Sequence, residues 1–545
     1  MNPIDDRFRN ALALQRSGDL DAAATLCRRL QEEHPEDARV LFLAGSLELQ
    51  RGNAQDALPL LEAFARRHPT RLEGIHALSR AYLALGRSVD AASVWKAYAR
   101  ACPGDPRAWY ELGVSRLATG DRDGAREALS RLVDSAGGSG RAHLSAALAW
   151  HGAGELEQAR AHYEQALALD PPLHLARQNL AAVWQDLGKL DRAEALYRQV
   201  LDAEPGNADV HRNIGTLCKD RGELSQALTH YRDATLLERG PLAHRSADVA
   251  EVRRTSLHNL RLEAEQLEHL LALGRIDPGY GVELSACREI IAELDQARQP
   301  GHRRELTRAQ FERVARTLHR WIHTGPTTAV APRALNPAAD FGAVARRYRE
   351  SGGVAVIDDF LSPRGLADLR AYCLETTFWF DYGKAGGYSG AYMEHGFGSD
   401  LLLQIAIELR EALPDLLGHH PLQQMWAYIY DSTLSGITPH ADQAAVNLNF
   451  WLTPDTANRN PNTGGLVIYT REAPADWDFA AYNSRPRAIE AFVRDSASIV
   501  VPYRCNRLVL FNSNLIHQTD AFQFRQGLEN RRINVTMLFG QRRNA

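Results

Sequence analysis

Closely spaced cysteines are missing from this 545-residue chain: its six (Cys27, Cys102, Cys218, Cys287, Cys373, Cys505) lie far apart, with no CxxC pair. Neither a zinc knuckle nor a dense disulfide framework fits that spacing, and free, mostly buried thiols in a reducing compartment are expected. Charge of one sign is also missing. Lys and Arg number 63 against 67 Asp and Glu, a net charge of -4, so there is no electrostatic footprint for a nucleic-acid partner. No apolar run approaches membrane-spanning length. The N-terminus MNPIDDRFRNALALQ has early acids and a helical apolar period where a secretory signal would have a basic region and an apolar block, so the cytoplasm is the expected address. Hydrophobic content of 45% and charged content of 24% are ordinary for folded proteins. The length exceeds what one core sustains, so two or three folding units are expected.

What the chain does have is a period. Gly18, Gly52, Gly86, Gly120, Gly154, Gly188 and Gly222 recur in steps of 34, in register with Ala23, Ala57, Ala91, Ala125, Ala159, Ala193 and Ala227. Pro35, Pro69, Pro103, Pro171 and Pro205 close five of the units, and Tyr163, Tyr197 and Tyr231 join in the later ones. The unit with Trp109, Leu112, Gly113, Gly120 and Ala125 carries the pattern most fully, and residues 4–240 resemble an array of seven tetratricopeptide repeats. Each unit is expected to be a pair of amphipathic helices, with glycine in the turn, alanine at the close approach and proline ending the second helix. Stacked units form a superhelix with a concave groove. Glycine, alanine and tyrosine build this scaffold and carry no chemistry.

Residues 241–324 lose the period but keep helical patterning, as in LHNLRLEAEQLEHLLALGRI and LTRAQFERVARTLHRWI, and read as capping and connecting helices. GPTTAVAPRALNP, residues 325–337, has no apolar period and reads as a linker. Residues 338–545 form the last domain. GGVAVIDDFLSPRGLADLRAYC predicts a strand running into a helix capped by Ser362, with Pro363 first inside it. Short β-branched and aromatic segments come next in AYIYDSTLSGITPHADQAAVNLNFWLTP, GGLVIYTREAP, SIVVPYRCNRLVLFNS and RRINVTMLFG. A jelly-roll, double-stranded barrel is the economical arrangement for so many strands.

Within this region stand His440-Ala441-Asp442 and, much later, His517. Two imidazoles and one carboxylate on one face of a metal leave positions open for substrate and dioxygen, the facial triad of non-haem iron(II) oxygenases. A bare HxD or HxE is cheap, since His34-Pro35-Glu36 and His162-Tyr163-Glu164 also occur. Context matters more. Val354 to Gly540 resembles the 2-oxoglutarate-dependent oxygenase family, nearest its prolyl-hydroxylase-like branch. The resemblance rests on the tyrosine strand before the motif (Ala427 to Tyr430), the HxD, Gly464-Gly465, the strand Arg507 to Phe511 leading to His517, and the final Arg532-x-Asn534-x-Thr536. It implies that His440, Asp442 and His517 bind Fe(II) and that a basic residue on the last strand holds the distal carboxylate of 2-oxoglutarate.

Arg532, Asn534 and Thr536 alternate with Ile533, Val535 and Met537, so one strand face is polar, and a polar face inside a barrel implies a ligand. Arg532 offers a planar fork for a carboxylate, with Arg531 and Arg525 as the alternatives. The prolyl-hydroxylase branch uses a lysine nearer the second histidine, so the arginine departs from its pattern; Arg-x-Asn-x-Thr is similar to the nucleic-acid demethylases, whose basic surface this chain lacks. Asn447, Asn449 and Trp451 alternate with Leu448, Phe450 and Leu452, and Tyr428 shares a face with Tyr430. Tyr430 and Asn449, with Asn534, are the expected cosubstrate contacts, and Trp451 a substrate contact; internal packing of a barrel is the bland alternative. Asp381 to Phe397 and Thr453 to Thr463 read as lid loops or as plain surface loops.

The resemblance implies dioxygen-dependent hydroxylation in which 2-oxoglutarate becomes succinate. Asp442 separates the chain from halogenases, which replace that acid, and from aspartyl/asparaginyl hydroxylases, which share the repeat-plus-barrel layout but lack the carboxylate ligand. Asn179 and Asn213, 34 residues apart at one repeat position, resemble the asparagine ladder of repeat-bearing glycosyltransferases that modify serine and threonine, where amides hold a peptide backbone. Other units place Glu111, Ser145 and Ala77 there, so the ladder has two rungs. The expected function is an oxygenase acting on a protein or peptide held by the repeats; an oxygenase for a small metabolite and a non-catalytic repeat scaffold are the competing readings.

Overall fold

The structure is a computed structural model that describes residues 3–17, 19–244, 246–296, 303–382, 387–432 and 436–542. Gly18, residues 383–386 of the first expected lid and residues 433–435 of the segment after Tyr430 lie outside the described residues. The chain folds as two compact units, Met1–Ala203 and Glu204–Ala545.

Fourteen helices in seven pairs, from Pro3–Ser17 to Leu224–Arg239, keep to the 34-residue period. Ala23, Ala57, Ala91, Ala125, Ala159, Ala193 and Ala227 are all fully buried, where a larger side chain would force the paired helices apart. Gly188 turns the chain between its two helices at φ +70°, a conformation that costs an L side chain about 1 kcal/mol or more. The second helices end at Glu33, Arg67, Ala101, Leu169 and Ala203, two residues before the recurring prolines.

The period runs through the seventh pair, yet that pair folds with the second unit. Its helix Leu224–Arg239 packs on residues of the last domain: a side chain at Gly398 would collide with Leu228, and the Arg239 guanidinium lies 4.6 Å over the Phe380 ring. The connecting segment has its own core of Leu260, Leu267, Cys287, Ile290, Leu306, Phe311, Val314 and Leu318. It also holds an antiparallel ribbon, β1 (Arg254–Ser256) with β2 (Arg303–Glu305), where the sequence predicted helices throughout. Residues 325–337 form no helix or strand, but they are not a loose tether. Val330, Ala334 and Leu335 are buried, and their backbone amides donate to Gln404 and Glu408 on the helix Asp400–Ala412.

The last domain begins as expected, with β3 (Val354–Ile357) and a helix Pro363–Glu375 capped by Ser362, whose hydroxyl accepts from the Gly365 amide. The later strands are β4 (Tyr388–Tyr392), β5 (Leu422–Tyr430), β6 (Val446–Trp451), β7 (Leu466–Glu472), β8 (Ser498–Val501), β9 (Leu508–Asn512), β10 (Leu515–Thr519) and β11 (Ile533–Phe539). They make two antiparallel sheets, one in the order β3-β9-β6-β11-β5-β4 and one in the order β10-β7-β8. Every residue of β6 and β11 is buried, so the centre of the large sheet is covered on both faces. A core of Tyr430, Trp451, Leu466, Ile468, Val501, Tyr503, Val509, Phe511 and Phe524 joins the two sheets. The stretch Asp381 to Phe397 is not all loop: Tyr388–Tyr392 is an edge strand with four of its five residues buried, because its tyrosines pack on β5. Thr453 to Thr463 is irregular apart from one short turn, as predicted. All six cysteines are free, four of them buried.

Two substitutions separate the roles of glycine and alanine in the repeats. Gly188→Ala, whose added Cβ meets nothing within 4 Å, should cost about 1 kcal/mol through backbone strain alone. Ala159→Leu should cost about 1–3 kcal/mol by overpacking. Melting curves followed by circular dichroism check both, and an unchanged transition in the leucine variant would refute the close approach.

Candidate metal centre

His440 and Asp442 stand in the loop before β6, and His517 lies on β10. Their backbones meet through an isolated bridge: the His440 amide donates to the His517 carbonyl at 3.0 Å and the His517 amide to the His440 carbonyl at 2.8 Å. This reciprocal pair sets the rings 4.3 Å apart, centroid to centroid. Each Nδ1 is within hydrogen-bond reach of a carbonyl two residues back, Thr438 at 2.9 Å and Leu515 at 3.1 Å. A carbonyl can only accept, so each Nδ1 carries the proton and each Nε2 presents its lone pair. Those nitrogens face the Asp442 carboxylate, at 3.8 Å for His440 and 3.4 Å for His517. One ligand atom from each residue lies within 4.8 Å of the others.

Burial, and then the neighbouring His517, push the His440 imidazole down to about 4, so it is neutral at physiological pH, the form that binds metal. For Asp442, burial raises the carboxyl, but its contacts with the His517 and His440 rings and the Asn447 amide outweigh it, and its acidity ends up stronger than usual. Asn447 donates to Asp442 Oδ2 and leaves Oδ1 free. Behind it Asn449 donates to Asn447, and Asn534 and Thr536 both donate to Asn449 Oδ1 at 2.9 Å. The sequence put these asparagines on one face; their chaining to the carboxylate was not legible there.

The cluster lines a cavity of about 910 Å³ shared with Arg532, Asn534, Thr536, Asn449, Tyr428 and Tyr430. Arg532 is 1% exposed. Its Nε donates to the Gly464 carbonyl at 2.7 Å and Nη2 to the Gly465 carbonyl at 3.3 Å, while Nη1 has no partner. The guanidinium sits 4.7 Å from the Tyr430 ring, 5.6 Å from Trp451 and 5.8 Å from Phe522. No carboxylate forms an ion pair with it among the described residues. Arg531, one position earlier, points the other way and grips Glu265 with two hydrogen bonds at 2.6 and 3.2 Å. Arg525 is exposed.

Trp451, expected to contact substrate, is fully buried and absent from the cavity wall; it flanks Arg532 instead. Lining residues that the sequence did not single out are Tyr388 and Tyr392 of β4, Trp426, Arg542 and Lys219 of the seventh repeat. Tyr392 and Trp426 lacked any signal beyond aromatic alternation. Asn179 lies in the first unit, where its amide nitrogen donates to the Leu175 carbonyl of its own helix at 2.9 Å. Asn213 lies in the second unit, half-buried on the helix Ala208–Asp220 that also carries Lys219.

One tetratricopeptide-repeat family model matches residues 8–71, 76–139 and 110–174, and a second matches 151–212 and 185–247. The N-terminal part of the chain is therefore a tetratricopeptide-repeat array, a kind of module that suggests protein partners. No curated protein matches the chain. Among solved structures, a tetratricopeptide repeat protein from Parabacteroides merdae is 17% identical over 43% of this chain and 93% of its own, with a TM-score of 0.35. A thermophilic repeat protein from Thermus thermophilus is 26% identical over 33% of this chain and 99% of its own, with a TM-score of 0.25. No helix of the described residues is long and apolar enough to cross a membrane.

The contrast between the two adjacent arginines gives a prediction. Arg531→Ala should destabilise the protein by about 1–3 kcal/mol, because it leaves a part-buried Glu265 without its partner. Ligand binding in the cavity should be untouched. A melting curve paired with a binding titration checks this, and a large loss of anion affinity in Arg531→Ala would reverse the assignment of the two arginines.

Proposed function

We propose that residues 338–545 are a non-haem iron(II), 2-oxoglutarate-dependent oxygenase domain of the double-stranded β-helix type, which hydroxylates a protein or peptide substrate recruited by the repeats. The observation that carries this reading is the shared cavity. It places two Nε2 lone pairs and a carboxylate within 4.8 Å of one another, and a fully buried arginine with an unpartnered nitrogen on the same wall.

The donor set suits the ion. Neutral imidazoles and one hard carboxylate are the ligands of facial-triad iron sites, and three protein ligands leave the remaining positions open. The cavity suits the cosubstrate as well. A buried cation without a counter-charge is costly, and a dicarboxylate brings the missing charge together with an acceptor for Arg532 Nη1. When bound, iron and 2-oxoglutarate supply the oxidising power: dioxygen is consumed, the cosubstrate loses carbon dioxide to become succinate, and one oxygen atom is left for a C–H bond of the substrate.

This chain's own side chains do the rest. His440, Asp442 and His517 would hold the metal, with each imidazole aimed by its Nδ1–H bond to a backbone carbonyl. Asn447, which donates to Asp442 Oδ2, would leave the other carboxylate oxygen for the metal. Arg532 orients the cosubstrate's distal carboxylate, and the Tyr430, Trp451 and Phe522 rings around it exclude water and so strengthen that contact. Lys219 on the cavity wall supports a substrate delivered from the repeats, since a helix of the seventh repeat itself borders the cavity. A chain held along that helix would pass Asn213 on its way.

Purified protein with Fe(II) should convert 2-oxoglutarate to succinate even without substrate, and His440→Ala, Asp442→Ala and His517→Ala should each abolish this. Arg532→Ala should weaken 2-oxoglutarate roughly tenfold to a hundredfold with little effect on iron. Wild-type protein showing neither iron-dependent turnover nor cosubstrate binding would leave the repeat scaffold as the function. For the peptide route, Asn213→Ala should raise substrate KM while uncoupled succinate formation holds. An unchanged KM would favour a small metabolite.

A further inference from the structure

The seventh repeat carries a second cluster of metal-ligating side chains, sharing no residue with the first. His211 on the helix Ala208–Asp220 faces His230 and Asp233 on the helix Leu224–Arg239, and one ligand atom from each lies within 4.8 Å of the others. The two Nδ1 atoms are 3.1 Å apart. Two nitrogens bound to one tetrahedral zinc at about 2.0–2.1 Å sit about 3.3 Å from each other, so the rings are already at chelating separation. Asp233 stands three positions after His230 on one helix, a spacing that puts both on the same face.

An independent contact points the same way. His211 Nε2 lies 3.3 Å from the Pro205 carbonyl, which can only accept. His211 is thereby held as the Nε2–H tautomer with its Nδ1 lone pair turned towards His230 and Asp233, the arrangement in which a histidine's outer nitrogen fixes the inner one for a metal. Among the described residues, Asp233 has no ion pair that would otherwise occupy it.

The chain contains its own comparison. Two repeats earlier, 68 positions back, His143 and His162 make the same contact, with Nδ1 atoms also 3.1 Å apart and rings 5.3 Å apart. There the position of Asp233 is Gln165, and the cluster fails to form a third-ligand set. The paired imidazoles by themselves are thus a packing contact of this repeat; the acid and the carbonyl-fixed tautomer are what the seventh repeat adds.

We propose that His211, His230 and Asp233 bind a divalent transition ion of the zinc type, with water completing the tetrahedron. The ion cross-links the two helices of the repeat whose first helix also places Lys219 on the cavity wall. Metal at this site therefore stiffens that wall without entering the cavity.

The test counts metal in the whole 545-residue chain. After chelator dialysis, zinc is titrated into wild type, Asp233→Asn, His230→Gln and the comparison variant His143→Gln, with circular dichroism confirming the fold of each. Whatever the other cluster holds, Asp233→Asn and His230→Gln should bind one equivalent fewer than wild type, or bind it at least about tenfold more weakly, and lose part of the rise in Tm that zinc gives. His143→Gln should match wild type. Equal stoichiometry and affinity in wild type and Asp233→Asn would overturn the site, as would an equal loss in His143→Gln. Asp233→Asn preserves shape on a half-buried position, so it decides the question even where His230→Gln fails to fold.

Discussion

Two backbone hydrogen bonds exchanged between His440 and His517 govern the geometry of the whole candidate metal centre. They join a loop of one sheet to an edge strand of the other, and they fix both imidazoles before any ligand arrives. Everything polar nearby is arranged around that constraint: the Nδ1 protons go to local carbonyls, the Nε2 atoms converge, and Asn447 holds Asp442 at one carboxylate oxygen. Gathering two imidazoles and a carboxylate in one buried place costs free energy. Such an arrangement persists when the surrounding fold over-determines it.

The electrostatics of the cavity come from what is left unbalanced. Arg531 and Arg532 are neighbours of identical chemistry with opposite fates. Arg531 reaches Glu265 on the connecting helix Leu257–Ala272 and becomes a structural tie, whereas Arg532 turns into the cavity among aromatic rings and two glycine carbonyls. Successive side chains of extended backbone point to opposite faces, so one step along the chain separates a structural tie from a cavity-facing cation. The carbonyls of Gly464 and Gly465 satisfy two of the guanidinium nitrogens, but neither neutralises its charge. The cavity wall therefore keeps a residual positive charge.

The repeats contribute more than a tail. Their seventh pair folds with the sheets, supplies Lys219 to the cavity wall and carries the His211, His230 and Asp233 cluster. Its small and aromatic positions match those of the two repeats before it: Ala227 and Tyr231 are buried, like Ala193 with Tyr197 and Ala159 with Tyr163. The seventh repeat therefore differs at polar positions that the scaffold leaves free, while the apolar period stays intact.

Periodicity made the repeats readable residue by residue, because helix stacking demands glycine and alanine at fixed intervals whatever the partner. The cap at Ser362, the final strand and the alternation of Asn447, Asn449, Arg532 and Asn534 were likewise legible, since strand pleating and helix capping are local rules. Sequence also named His440, Asp442 and His517 and preferred Arg532 to Arg531. Folding brought the first three together across a long stretch of chain and paired Arg531 with a glutamate 266 positions away, contacts that no local pattern encodes. The strand Tyr388–Tyr392 within an expected loop, the burial of Trp451, the ribbon in the connector and the meeting of His211 with His230 and Asp233 were decided by tertiary packing alone. Each depends on which distant surface a segment is pressed against, and a single chain's pattern of residue types leaves that surface unspecified.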